Sequence, residues 1–157
     1  MYSREQEDKA LNLPPKGLPS YVYVIMNAPD QAIANLTPTL VKYNGVQTDT
    51  LAEFDPTVGV YSFTPRRAGI YLIYAQITWR QSAGAGACDL CIYTGVTRLA
   101  RCFNHIIANQ IVTLPVAIIV PLTPADIIWC EVLQATGVGK AIYAALETSF
   151  ICIKRVL

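Results

Sequence analysis

At 157 residues with a formal net charge of +1, the chain fits one domain, large enough to bury roughly 70% of the surface that its unfolded form exposes. The near-neutral charge argues against a partner recognised through bulk electrostatics, such as nucleic acid or an anionic membrane. Charged residues make up only 15% of the chain, against about 25% in an average soluble domain. So much apolar surface in one modest domain indicates that part of it is buried against another subunit.

Residues 1–20 form a polar N-terminal segment without the apolar core that a secretory signal requires, so we expect synthesis in the cytosol. The prolines at positions 14, 15 and 19 predict an extended linker, because proline disfavours helix at and before its own position. The segment is either a disordered tail or an arm that orders against a neighbour. Its charged residues are Arg4, Glu5, Glu7, Asp8, Lys9 and Lys16.

Residues 21–157 read as short strands with turn residues about every ten positions and no convincing helical period. This pattern predicts an all-β antiparallel sandwich or jelly roll of about ten strands. The stretch at 80–87, rich in glycine and alanine, predicts a loop. The predicted strands cover residues 21–26, 40–43, 46–54, 70–79, 88–94, 97–103, 111–122, 127–134 and 142–156, with a further short strand before Pro65.

The strand at 70–79 is the one around which the rest of the chain is organised. It carries no charge and is largely apolar on both alternating faces, which is typical of a strand covered on both sides. Period-two geometry separates its side chains into two sets. The first set is Tyr71, Ile73, Ala75, Ile77 and Trp79, and the second is Ile70, Leu72, Tyr74, Gln76 and Thr78.

The most apolar run, residues 111–122, is not expected to cross a membrane. It is about twelve residues long and contains Pro115 and Pro121, whereas a spanning helix needs about twenty residues. No membrane span is predicted.

The residues that could carry chemistry do not form a recognisable active site. Asp126 and Glu131 lie an odd number of residues apart around one predicted strand and should face opposite ways. His105 is the single histidine. No nucleophile elbow, phosphate-binding glycine loop or metal-spaced cluster is found, so we predict a non-enzymatic protein without cofactor or metal.

Cysteine usage favours reduced, structural thiols. The chain has five cysteines at irregular spacing, which argues against a disulfide framework. Cys88 and Cys91 are spaced like a zinc or redox pair, but positions three apart on a strand point to opposite faces. We therefore interpret the cysteines mainly as buried thiols.

Four motifs, in the right order, resemble the superfamily that joins the globular complement component 1q domain to tumour necrosis factor. Residues 69–76 resemble its Gly-x-Tyr strand. Residues 122–129 are similar to its Leu-x-x-Gly-Asp-x-Val-Trp corner, with Ala125 in place of glycine, and residues 149–152 to its closing Phe-x-Gly strand, with Cys152 in place of glycine. Phe54, Gly59, Phe63, Pro65 and Gly69 stand where the complement branch has Phe, Gly, Phe, Pro and Gly.

This resemblance implies a ten-stranded jelly roll that assembles as a tight homotrimer. It also implies that the first set of the strand at 70–79 packs inside the sandwich and the second set faces neighbouring subunits. Polar groups such as Gln76 and Thr78 would then find partners across the axis. The implied interface residues are Leu72, Tyr74, Gln76, Ile119 and Phe150.

Residues 31–33 and 40–43, followed by Phe54, look more like the version of this fold in tailed-phage structural proteins. That resemblance implies a trimeric capsid decoration or cement protein, made in the host cytoplasm and located in the virion, whose partner is the major capsid protein or another virion protein. The arm would dock on the shell through Arg4, Glu5, Lys9 and Lys16.

Two alternatives remain open. The first is a knob on a phage head or tail fibre that binds a host receptor or surface glycan, with residues 80–87 and 104–110 as the recognition loops. The second is a secreted cytokine-like or complement-like ligand.

Overall fold

The computed structural model describes residues 19–144 and 148–157, which form thirteen β-strands and no helix. The predicted docking residues Arg4, Glu5, Lys9 and Lys16 lie outside the described residues. No helix in these two ranges is long and apolar enough to cross a bilayer. The strands are β1 (Tyr21–Ile25), β2 (Gln31–Ile33), β3 (Thr39–Leu40), β4 (Gly45–Asp49), β5 (Phe54–Asp55), β6 (Ser62–Phe63), β7 (Gly69–Trp79), β8 (Gly86–Thr94), β9 (Thr97–Ile106), β10 (Val112–Leu122), β11 (Ile128–Ala135), β12 (Lys140–Ile142) and β13 (Phe150–Arg155).

The strands form two antiparallel sheets, as the predicted fold class requires. The first sheet has the order β2-β12-β7-β13-β1-β4, with β10 on the other side of β7, and the second has the order β5-β6-β11-β8-β9, with β3 beside β11. Apolar side chains from both sheets fill one core between them. Regular alternation along the long strands produces this core, because every second side chain points inward.

Strand β7 is central to the first sheet, as its composition predicts. It pairs with β10 along its whole length, from Gly69 opposite Leu122 to Trp79 opposite Val112. On its other side it pairs with β13. The side chains of the first set are all completely buried, namely Tyr71, Ile73, Ala75, Ile77 and Trp79.

The predicted strand at 46–54 is interrupted, and a side chain explains the turn. The carboxylate of Asp49 accepts hydrogen bonds from the backbone N–H groups of Leu51, Glu53 and Phe54. These bonds replace strand pairing and bend the chain, so β4 ends at Asp49 and the short β5 begins at Phe54.

The predicted strand at 142–156 is also wrong as a single element, because β12 and β13 are separate. The backbone N–H of Tyr143 donates to the carbonyl of Thr78, whereas the carbonyl of Ser149 accepts from the backbone N–H of Met26. Strand β2 is missing from the sequence prediction, and the strand predicted at 40–43 is confined to the end of β3. Each is only two or three residues long, too short for a periodic pattern.

The chain enters the domain through two residues that the sequence assigns to the arm. The carbonyl of Pro19 accepts from the Thr50 hydroxyl at 2.6 Å, and the carbonyl of Ser20 accepts from Arg155 N at 3.0 Å. The Ser20 hydroxyl donates to the buried carboxylate of Glu53 at 2.5 Å. Residues 19–20 are therefore fixed to the jelly roll.

Candidate subunit interface

The outward side of the first sheet carries a continuous apolar surface, which we call the apolar face. Strand pairing places its members next to one another: Ile119 lies opposite Leu72 across β10 and β7, and Cys152 lies opposite Tyr74 across β13 and β7. Leu72 is 37% exposed and Ile119 is 66% exposed. The face consists of Tyr23 on β1, Leu72 and Tyr74 on β7, Ala117 and Ile119 on β10, and Phe150 and Cys152 on β13.

An aromatic cluster occupies the middle of the apolar face. The ring of Phe150 lies between two tyrosines, with centroid distances of 5.5 Å to Tyr23 and 5.6 Å to Tyr74. Both pairs have tilted geometry, which aromatic pairs prefer over a face-to-face arrangement. Three partly exposed rings on adjacent strands offer a large apolar area with few rotatable bonds, as in the centre of protein interfaces.

Polar groups beside this cluster are hydrogen-bonded within the chain. The Tyr74 hydroxyl donates to Oε1 of Gln76 at 2.9 Å, and Nε2 of Gln76 donates to the carbonyl of Thr148 at 3.4 Å. The Thr78 hydroxyl donates to the same carbonyl and lies 2.9 Å from the Thr113 hydroxyl. Nearby groups of the same chain therefore already supply partners for Gln76 and Thr78, and partners across an axis remain a prediction.

The rim of the apolar face is more polar. Lys154 lies next to Leu72 and Tyr21 in the strand pairing and is exposed. Tyr21 interacts with the Cys152 thiol, and this hydrogen bond, followed by partial burial, raises the pKa of the tyrosine. A cation at the rim of an apolar surface keeps its charged group in water.

The outward side of the second sheet carries an ion pair beside aromatic side chains. The carboxylate of Asp89, which is only 5% exposed, accepts from the Arg101 guanidinium at 2.7 and 2.9 Å. Its other oxygen accepts from the backbone N–H of Leu133 at 3.0 Å. The nearby rings of Tyr93 and Trp129 stack at 6.1 Å with an interplanar angle of 12°.

Asp126 and Glu131, considered from the sequence as an acid–base pair, lie in different surroundings. Asp126 closes a turn by accepting from the N–H and hydroxyl of Thr123, and these hydrogen bonds lower its pKa. Glu131 lies half-buried on β11, where burial and then the charge of Asp89 raise its pKa. The structure does not bring Asp126 and Glu131 into hydrogen-bond contact.

The paired cysteine spacing does not create a metal site within residues 19–144 and 148–157, where no cluster of three potential ligands is found. All five cysteines are free thiols. Cys88 packs in the core with Leu90 and Ile92, whereas Cys91 does not belong to that cluster. Burial raises the pKa of Cys88 to about 11 and that of Cys91 as well, so both thiols are protonated at neutral pH.

The interface prediction from the sequence included Leu72, Tyr74, Gln76, Ile119 and Phe150, and the first sheet brings all five to its outward side. It did not include Tyr23 or Cys152, although the alternation of side chains along β1 indicates that Tyr23 points outward. In β1 the valines at 22 and 24 are buried and the tyrosines at 21 and 23 are half-buried. Only strand pairing reveals that Tyr23 and Cys152 lie beside Tyr74.

No protein-family model and no curated protein matches the chain in sequence. Solved structures match it in fold. Eiger TNF from S. frugiperda aligns with a TM-score of 0.69 at 13% identity, covering 88% of this chain and 93% of that one. Murine APRIL at pH 5.0 aligns with a TM-score of 0.66 at 15% identity, covering 88% of this chain and 100% of that one. The globular domain of zebrafish complement 1qA protein aligns with a TM-score of 0.67 at 15% identity, covering 88% of this chain and 98% of that one. The chain therefore has the jelly-roll fold of tumour necrosis factor-like and complement 1q-like proteins, as the four motifs predict.

Proposed function

We propose that this protein is a non-enzymatic virion structural protein that assembles as a homotrimer through the apolar face. The apolar face is the observation that carries the assembly: it exposes aromatic and aliphatic side chains on a rigid sheet. A surface of this kind marks an interaction site in a soluble domain. Three copies, rather than two, follow from the resemblance to the tumour necrosis factor and complement 1q superfamily.

The hydrogen bonds beside the apolar face are made within one chain, and this supports self-association. An interface loses free energy for every polar group that it desolvates without a partner. Tyr74, Gln76 and Thr78 already have partners in their own chain. A second copy can therefore cover this region without supplying matching donors and acceptors.

The virion role rests on the resemblance to tailed-phage structural proteins and on the position of the arm. Pro19 and Ser20 are fixed to the domain, Ser20 beside the end of β13, so the chain enters the domain at the same place in every copy. In a trimer, three arms would reach one surface together. This arrangement suits capsid decoration or cement, in which a small trimer is fastened to the shell beneath it.

The fold likeness to Eiger TNF and to the complement 1qA globular domain favours a second candidate, a cytokine-like or complement-like ligand. The trimeric apolar face would be common to both candidates. They differ in partner, since a ligand binds a receptor and a cement protein binds a capsid.

The assembly is tested by mass and by thiol protection. Light scattering should give about 52 kDa, three times the 17.2 kDa of one chain. Cys152 is half-buried in a single copy, and we expect assembly to reduce its alkylation rate by more than tenfold relative to denatured protein, with the core residue Cys130 as the protected control. A stable 17 kDa species with a reactive Cys152 would contradict the proposed interface.

The virion role is tested by co-sedimentation with capsids stripped of this protein. The full chain should bind, and a variant lacking residues 1–18 should stay trimeric but fail to bind, because Pro19 and Ser20 remain to complete the domain. Binding that survives the deletion would exclude the arm as the docking device. A trimer that ignores capsids in its full-length form would favour the ligand candidate.

A further inference from the structure

An open groove of about 610 Å³ lies at the end of the domain where β7 finishes. One wall is the short ribbon of β2 and β12, and the other is the segment 80–82 that follows β7. Its volume is in the range of small-molecule sites. Small side chains line it at Ala32, Ala34 and Ala141, and polar side chains at Arg80, Gln81, Ser82 and Lys140.

Lys140 is the unusual member of this lining. The residue is 4% exposed, and its Nζ is shielded from solvent and has no hydrogen-bond partner among the described residues. It pairs with the buried Ile33 across the ribbon, so its stem shares the core-facing side. A buried ammonium group is strongly destabilising unless an anion or several acceptors compensate it. The groove therefore lacks a counter-ion for Lys140.

Neighbouring groups of the described chain do not provide that counter-ion. The carboxylate of Asp30 is paired with the Arg80 guanidinium and accepts from the backbone N–H of Ala144 at 2.9 Å. The Cys88 thiol lies within electrostatic reach of Lys140, yet burial raises its pKa to about 11 in spite of the positive charge. It is therefore a neutral thiol at pH 7.

Ser82 gives a second, independent observation. Its hydroxyl is also buried and has no partner among the residues that the structure describes. The segment around it is fixed, because the Ser82 carbonyl accepts from Asn109 N at 2.7 Å and Arg80 N donates to the Ala141 carbonyl at 2.8 Å. The Arg80 guanidinium lies 4.3 Å from the ring centroid of Tyr143. Lys140 and Ser82, each with an unpaired polar atom, thus both line a groove whose lining contains two cations and no acidic side chain.

We propose that this groove binds a small oxyanion, a carboxylate, sulfate or phosphate group, which Lys140 and Ser82 hold with Arg80 at the rim. Nζ of Lys140 is shielded from solvent in the free chain, so the proposed binding requires its flexible stem to turn toward the ligand. The oxyanion is either a free ion or the acidic group of a larger molecule such as an acidic sugar. The site lies within one copy and does not depend on the proposed assembly.

Thermal unfolding of the full chain at constant ionic strength tests this proposal. Sulfate, phosphate or glucuronate should raise Tm over chloride, by roughly 3–6 °C for each tenfold increase above the dissociation constant. Glucose is the neutral control for glucuronate, and acetate is the free carboxylate. A stronger response to glucuronate than to acetate would identify an acidic sugar as the source, and equal responses would identify a free ion.

The matched variants are Lys140→Met and Lys42→Met. Lys140→Met keeps an unbranched stem and removes the charge, so it should raise Tm without added anion and abolish the anion response. Lys42 is exposed on the segment after β3, and its substitution should leave both unchanged. If Lys140→Met does not fold, wild-type protein with 15N-labelled lysine side chains gives the answer, because the Lys140 Nζ resonance should shift on titration with sulfate.

Three results would overturn the proposal. The first is a wild-type Tm that does not respond to any of the oxyanions. The second is a response that persists unchanged in Lys140→Met. The third is strong energetic coupling between Lys140→Met and Glu147→Gln in a double-mutant cycle, which would make Glu147, outside the described residues, the missing partner.

Discussion

The outward sides of the two sheets differ in chemistry, although the same strand alternation creates both. The first sheet presents the apolar face, with the ring of Phe150 between Tyr23 and Tyr74. The second presents an ion pair between the buried Asp89 and the exposed Arg101. Each sheet buries its other side in the common core, so the difference does not arise from folding of a single copy.

This difference between the two outward sides indicates which of them a second copy could cover at the lower cost in free energy. The apolar face gains from losing water, since its polar neighbours are satisfied within the chain. The outward side of the second sheet would lose the solvation of partly exposed groups such as Arg101 and Glu131, and an ion pair rarely repays that cost. This contrast supports the first sheet as the side proposed for association.

The largest effect is expected where β7 points inward. Tyr71 is fully buried, packs edge-on against Phe63 at 5.7 Å and donates its hydroxyl to the Arg67 carbonyl. Tyr71→Asp removes a core aromatic, which alone costs about 3–5 kcal/mol, and adds a buried charge. We expect circular dichroism to report an unfolded chain. A folded Tyr71→Asp protein would contradict the assignment of this side to the core.

The second largest effect is expected at the outward-pointing positions of β7, on the apolar face. Tyr74→Asp brings one carboxylate per copy into a poorly hydrated seam, at a cost on the order of several kcal/mol per trimer. Sedimentation should give a β-rich monomer, because Tyr74 is only half-buried in a single chain. Tyr74→Phe is the matched control and should remain trimeric. A Tyr74→Asp trimer of unchanged thermal stability would place the interface elsewhere.

A smaller effect is expected on the outward side of the second sheet. Asp89→Ala removes the acceptor of Leu133 N and the partner of Arg101, which should lower the free energy of unfolding by about 1–3 kcal/mol. The mass of the assembly should not change. Asp55→Ala, at the exposed end of β5, serves as the control. Dissociation caused by Asp89→Ala would show that the second sheet also takes part in assembly.

The smallest effect should be that of Glu131→Gln. Burial and Asp89 raise the pKa of Glu131 above its ordinary 4.5, so ionisation disfavours the folded state as pH rises through that range. The variant should be more stable than wild type at pH 7 by less than about 0.5 kcal/mol. The difference should vanish below the ordinary pKa, where both states are protonated. Urea unfolding at the two pH values measures it, and a less stable variant at pH 7 would contradict the sign.

Much of the candidate interface was predictable, because the faces of a long strand depend on local alternation. The two sets of β7 side chains follow from period two, and only one set is free of awkward polar groups. The register between paired strands was harder to predict from the sequence. A bulge between Ile92 and Tyr93 shifts the pairing of β8 and β9. Counting back from their turn would therefore place Asp89 opposite Cys102, whereas the structure places it opposite Phe103.

The sequence by itself determined the all-β class, the long strands and the inward set of β7, because each depends on composition and on neighbours two positions apart. Tertiary structure decided the rest. It joined Tyr23, Tyr74 and Phe150 into one cluster, satisfied Gln76 through the carbonyl of Thr148 and left Lys140 without a counter-ion. These features depend on which distant segments meet, and side-chain periodicity contains no information about that.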